Sequence, residues 1–206
     1  MTAIGRMAML DLRTIAPYRW PGLAMFALVI LIDIRSPASG LPALMLLAIV
    51  AVTPHPFSVA DKAGLDILYG VLPLSRRAVV YGRYAWALAS FLATAAIGIA
   101  LEFGLATVQS LPFDASALFT VLTLCWAMFT INVAIQFPLL IRFGYSQMGV
   151  LATAMPLALI GVAIARLHLT VPDSQIWRPA LWVLGAVAFV ASAVMSARWR
   201  PAPGSA

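Results

Sequence analysis

Charge is what this sequence has least of. Asp, Glu, Lys and Arg together make up 10% of its 206 residues, against about 25% in soluble globular domains. Apolar residues make up 63%, where soluble domains hold roughly 45–50%. A soluble fold of this size could not cover so much apolar surface, whereas lipid demands no polar cover. The only lysine, Lys62, follows Asp61. That excludes a phosphate-binding loop, which ends in Gly-Lys-Ser or Gly-Lys-Thr. The only cysteine, Cys125, lies inside an apolar run. It excludes an intramolecular disulfide and a Cys-rich metal site, and reads as a small buried hydrophobe.

Catalytic constellations are equally scarce. His55 and His168 are too far apart for a His-x-x-x-His zinc pair. Gly144-Tyr145-Ser146-Gln147-Met148-Gly149 is one residue too long for the strained Gly-x-Ser-x-Gly turn of a serine hydrolase. The reading is therefore of a membrane protein that is not itself an enzyme. Although the net charge is +6, the 12 arginines are spread in ones and twos between apolar runs. Such spacing fits cytoplasmic anchoring in a bilayer and no nucleic-acid partner. Asp11 and three arginines interrupt the first nineteen residues, so no cleavable signal peptide is expected.

A helix needs about 20 mostly apolar residues to cross the hydrocarbon core. Four uncharged runs qualify: Tyr84 to Leu101, Ala115 to Leu140, Ser146 to Ala165 and Pro179 to Ala197. Two shorter runs, Trp20 to Ile32 and Leu41 to Thr53, flank the break Ser36-Pro37-Ala38-Ser39-Gly40. They read either as two further spans, with Arg19 snorkelling to the interface, or as a re-entrant hairpin. With six spans, one set of connecting segments holds Arg6, Arg13, Arg19, Lys62, Arg76, Arg77, Arg83, Arg142, Arg198 and Arg200. The other holds only Arg35, Arg166 and Arg178. That bias puts both termini in the cytoplasm.

The expected fold is an all-α membrane protein, a bundle of about six transmembrane helices forming one permease domain over residues 1–200. Residues 201–206 are expected to form a disordered tail. Ile4, Met7, Ala8, Leu12 and Ile15 fall at helical spacing. This stretch is either an N-terminal helix lying in the interface or a frayed terminus.

The longest cytoplasmic connection joins spans 2 and 3. Asp61 is expected to start a helix there, with Leu65, Leu68 and Leu72 on one face. Pro73 breaks it, Ser75 caps the next helix, and Arg76 and Arg77 lie at the membrane surface. Such an amphipathic helix either floats on the headgroups or serves as a docking lever. Asn132 and Gln136 lie on one face of the fourth span, where they either hold helices together or line a pore. Trp86, Phe91, Trp126 and Met128 are apolar candidates for the same lining. Asp33 and Glu102 lie too near the outer surface for a mid-membrane proton relay, which weakens the alternative of an ion-coupled carrier or channel acting without an ATPase.

Asp61-Lys62, followed by Leu72-Pro73-Leu74-Ser75-Arg76-Arg77-Ala78-Val79-Val80-Tyr81-Gly82-Arg83-Tyr84, resembles the permease subunits of ABC-2-type transporters. Arg142-Phe143-Gly144-Tyr145 resembles the family's second cytoplasmic loop, and Asp11-Leu12-Arg13 its N-terminal helix. The resemblance implies a dimeric pore in a bacterial plasma membrane, made with a second permease copy or a paralogue and surrounded by lipid. It implies a separate ABC ATPase carrying ATP and Mg, with no cofactor on this chain. It also implies a coupling helix through which that ATPase docks, comprising Asp61, Lys62, Leu65, Asp66, Leu68, Leu72, Pro73, Ser75, Arg76 and Arg77.

Overall fold

The computed structural model describes residues 52–62, 75–110, 114–167 and 177–198. The expected N-terminal helix, the C-terminal tail and the two shorter apolar runs, save Val52 and Thr53, lie outside the described residues. So do Leu65, Asp66, Leu68, Leu72 and Pro73. Among the described residues every regular element is a helix.

Proline and serine set the first boundaries. Helix α1, His55–Lys62, begins after Pro54, whose carbonyl accepts from the Phe57 and Ser58 amides at 3.0 and 3.3 Å. Pro56 sits in its first turn, where a missing amide hydrogen costs nothing. Asp61 therefore lies in the last turn of a helix and does not cap the start of one. This corrects the expected N-cap: the proline-led start upstream prevails over the capping preference of Asp61. Helix α2, Arg76–Gln109, opens as expected on Ser75, whose hydroxyl accepts from the Ala78 amide at 3.3 Å. It closes on Ser110 in the left-handed conformation, φ 54°.

Asp114 caps helix α3, Ala115–Phe143, accepting from the Ser116 and Ala117 amides at 2.9 and 3.1 Å. A single residue, Gly144 at φ 79°, separates α3 from helix α4, Tyr145–Leu167. Helix α5 is Arg178–Arg198. All four long uncharged runs are thus helical. Among the described residues, α2, α3 and α5 are long and apolar enough to cross a membrane.

Hydroxyl groups in these helices satisfy themselves locally, as an apolar surrounding requires. Thr94 donates to the Ser90 carbonyl, Thr120 to Ser116, Thr123 to Phe119 and Thr153 to Gly149, at 2.7–2.8 Å. Helix α3 is the hub, packed most extensively on α5, then on α4, and also on α2. Gly185 lets α5 come close: a Cβ there would stand 2.6 Å from Trp126 Nε1 and 2.9 Å from Thr130 Oγ1. Small residues serve this purpose where helices pack in lipid. The centre is made by Phe129, Val133 and Phe137 on one stripe of α3. The outer surface carries Val150, Val108 and Leu184 at 86%, 82% and 65% exposure, an apolar exterior suited to hydrocarbon.

Candidate functional site

Helix α1 meets the bundle at the end carrying Ser75, Arg142 and Arg198. Phe57, its buried anchor, stands edge-on to Phe137 of α3 with ring centroids 4.9 Å apart. The Arg83 guanidinium of α2 lies over the Phe57 ring, 4.3 Å from its centroid. A cation over an aromatic face contributes about 0.5–2 kcal/mol, more as water is excluded. Asp61 is exposed at the far end of α1. The short helix is therefore seated in the bundle by a face that buries Phe57, Ser58 and Ala60 and leaves Asp61 outward.

From Phe57 a continuous run of ring contacts crosses the bundle. It passes through Phe137, Tyr84, Phe189, Phe129, Phe91, Trp126, Trp182 and Phe119, with centroids 4.6–6.4 Å apart. Offset or edge-on rings at such distances attract beyond their simple burial. The Arg178 guanidinium closes the far end, 5.7 Å from Phe119. Arg178 also donates to the Ser116 carbonyl and hydroxyl, both at 3.2 Å, and to the Thr120 hydroxyl. From Phe119 to Phe137 helix α3 rises about 27 Å, close to the roughly 30 Å hydrocarbon core. The column thus joins α1, α2, α3 and α5 from one end to the other.

A hydrogen-bonded relay reinforces it beside Tyr84. Pro138 has no amide hydrogen, so the Ala134 carbonyl one turn earlier loses its usual helical donor. The Ser192 hydroxyl of α5 donates to that carbonyl at 3.2 Å. Having spent its proton there, Ser192 must accept from the Tyr84 hydroxyl, 2.7 Å away. Ser196 in turn donates to Tyr84 at 3.2 Å. All four side chains, Pro138 included, are buried.

A second relay ties α3 to α4. Thr153 spends its proton on the Gly149 carbonyl and so accepts from Gln136 Nε2 at 2.8 Å. This fixes Gln136 Oε1 towards Asn132, whose Nδ2 donates to it at 3.0 Å. Asn132 Oδ1 is left buried with no hydrogen-bond partner. Asn132 and Gln136 therefore face the α3–α4 contact inside the bundle.

Of the other expected lining residues, Phe91 and Trp126 are buried in the column, while Trp86 and Met128 are half-buried. Arg142 and Phe143 are exposed beside Gly144 and Tyr145, at the end where α1 docks. Sequence reasoning did not single out Phe57, Phe137, Thr153, Ser192 or Ser196. The i, i+4 spacing of the two serines and the proline four residues after Ala134 were the available signals.

A family model described as ABC-2 family transporter protein matches residues 9–199. No curated protein and no solved structure matches the chain.

Proposed function

Because the chain belongs to the ABC-2 family transporter proteins and is a multi-pass membrane permease of an ABC transporter, we propose that it is the pore-forming half of an exporter driven by a separate ATPase. Two permease chains, identical or paralogous, enclose the path across a bacterial plasma membrane, with both termini in the cytoplasm. The ATPase docks under residues 61–77 and 142–145, and its ATP-driven closure switches the pore between inward and outward access. The ten-to-three arginine and lysine asymmetry supports this orientation. The lack of any Gly-Lys-Ser or Gly-Lys-Thr supports a partner that binds the nucleotide.

One observation carries the mechanism: Phe57 of α1 packs against both Arg83 and Phe137 at the head of the aromatic column. A close-packed interior transmits displacement because its contacts do not compress. Force applied to the loop carrying α1 would therefore reach α2, α3 and α5 together. Co-purification with an ABC ATPase tests the assignment. Charge reversal at Asp61 and Asp66 is expected to weaken stimulation of that ATPase. An unaltered complex would remove the docking role, and transport that persists with the ATPase deleted would favour an ion-coupled carrier.

A further inference from the structure

Helix α4 stands apart from the column that unites the rest. Its only aromatic residue is Tyr145 at the first position, and it holds neither Phe nor Trp. Among the described residues its main contacts are with α3 and α1. Covalently it is tied to α3 by Gly144 alone, at φ 79° with open space around its α-carbon. A glycine in that region lets two helices change their mutual angle with little steric opposition. About 12–14 Å from this joint along the two helices, Gln136 and Thr153 form a polar link between α3 and α4. Pro156 interrupts the α4 backbone ladder three residues beyond Thr153.

The chemistry of this link is lopsided. Asn132 Nδ2, Gln136 Nε2 and the Thr153 hydroxyl each donate one bond along the relay that ends on the Gly149 carbonyl. The Asn132 Oδ1 acceptor is committed to nothing and is sealed from solvent. A buried acceptor without a donor penalises the closed arrangement relative to any state that supplies one.

We propose that α4 is a gate that swings from α3 about Gly144, with the Gln136–Thr153 hydrogen bond as its latch. Opening frees the Gln136 amide and bares Asn132 Oδ1, giving the cleft a polar floor between apolar walls. Water or a hydrogen-bond donor on the cargo then satisfies the acceptor. The docking of α1 against α4 places the gate next to the element proposed to receive the ATPase stroke, so the gate's purpose rests on the transporter reading. Its movement does not.

The test uses the full chain in lipid vesicles without an ATPase, with Cys125→Ala as background and Ala152→Cys as reporter. Ala152 is fully buried beside Thr153. A membrane-permeant methanethiosulfonate reagent reads how often the cleft opens. With the latch intact, labelling is expected to be slow. Adding Thr153→Val, which keeps the shape and removes the hydroxyl, should speed it roughly three- to fifteen-fold, the effect of one hydrogen bond in lipid. Thr120→Val removes a buried hydroxyl elsewhere on α3 and serves as control. An unchanged rate in the Thr153 variant, or an equal rise in the Thr120 variant, overturns the gate. Co-purification with an ATPase tests the transporter reading separately.

Discussion

The Ser192 hydroxyl on α5 donates to the main-chain carbonyl of Ala134 on α3 at 3.2 Å. That carbonyl is the one Pro138 deprives of its helical donor. A proline that would otherwise weaken α3 thus becomes the point where α5 is fastened to it. Ser192→Ala is expected to leave the carbonyl and the Tyr84 hydroxyl without this partner. The loss should be about 0.6–1.7 kcal/mol, the range for hydrogen bonds between membrane helices. Thermal unfolding of the detergent-purified protein measures it, and Ser192→Thr should recover part.

Gly185 is expected to tolerate no side chain. The Cβ of an alanine would fall 2.6 Å from Trp126 Nε1, inside any allowed contact. Gly185→Ala must displace the indole and break its 3.3 Å bond to the Trp182 carbonyl. Overpacking of this kind costs about 1–3 kcal/mol. Lower thermal stability together with a shifted tryptophan emission is the expected result. Unchanged emission would mean that the helices separate as whole bodies.

Phe57 offers a way to separate assembly from coupling. In the proposed complex, Phe57→Ala should leave Asp61 exposed for docking while removing the ring that connects α1 to Phe137. The ATPase should then bind and hydrolyse ATP with transport reduced several-fold, whereas Phe57→Tyr retains both. Transport and hydrolysis assayed on the same vesicles give the ratio. An unchanged ratio in the alanine variant would mean that force enters the bundle elsewhere.

Arg178 fastens the opposite end of the column. Arg178→Met keeps an apolar stem but loses the bonds to Ser116 and Thr120 and the cation over Phe119. A decrease of about 1–2 kcal/mol in stability is expected. In the background without Cys125, cysteines at Asp61 and Trp177 should label from opposite sides of sealed vesicles. Labelling from one side would refute the crossing pattern proposed for α2, α3, α4 and α5.

The long spans were legible because hydrocarbon length is written directly in uncharged runs such as Ala115 to Leu140. The Ser75 cap was legible because the capping side chain and its amide are three residues apart. Asn132 and Gln136 announced a shared face, since both belong to one helix. Their partner Thr153 did not, because that contact exists only once α4 has folded back against α3. The column was hidden for the same reason. Phe91, Trp126 and Trp182 follow no common period, and each meets the next across a helix boundary. At Asp61 two local signals conflicted, and the turn starting at Pro54 decided the outcome.

Trp126 and Trp182 lie nearly parallel, 15° between planes and 5.1 Å between centroids. Two indoles so placed couple electronically, which should give the unlabelled protein a paired circular-dichroism signal in the strong far-ultraviolet indole band. Because one chromophore rides on α3 and the other on α5, loss of that signal would report their parting in real time.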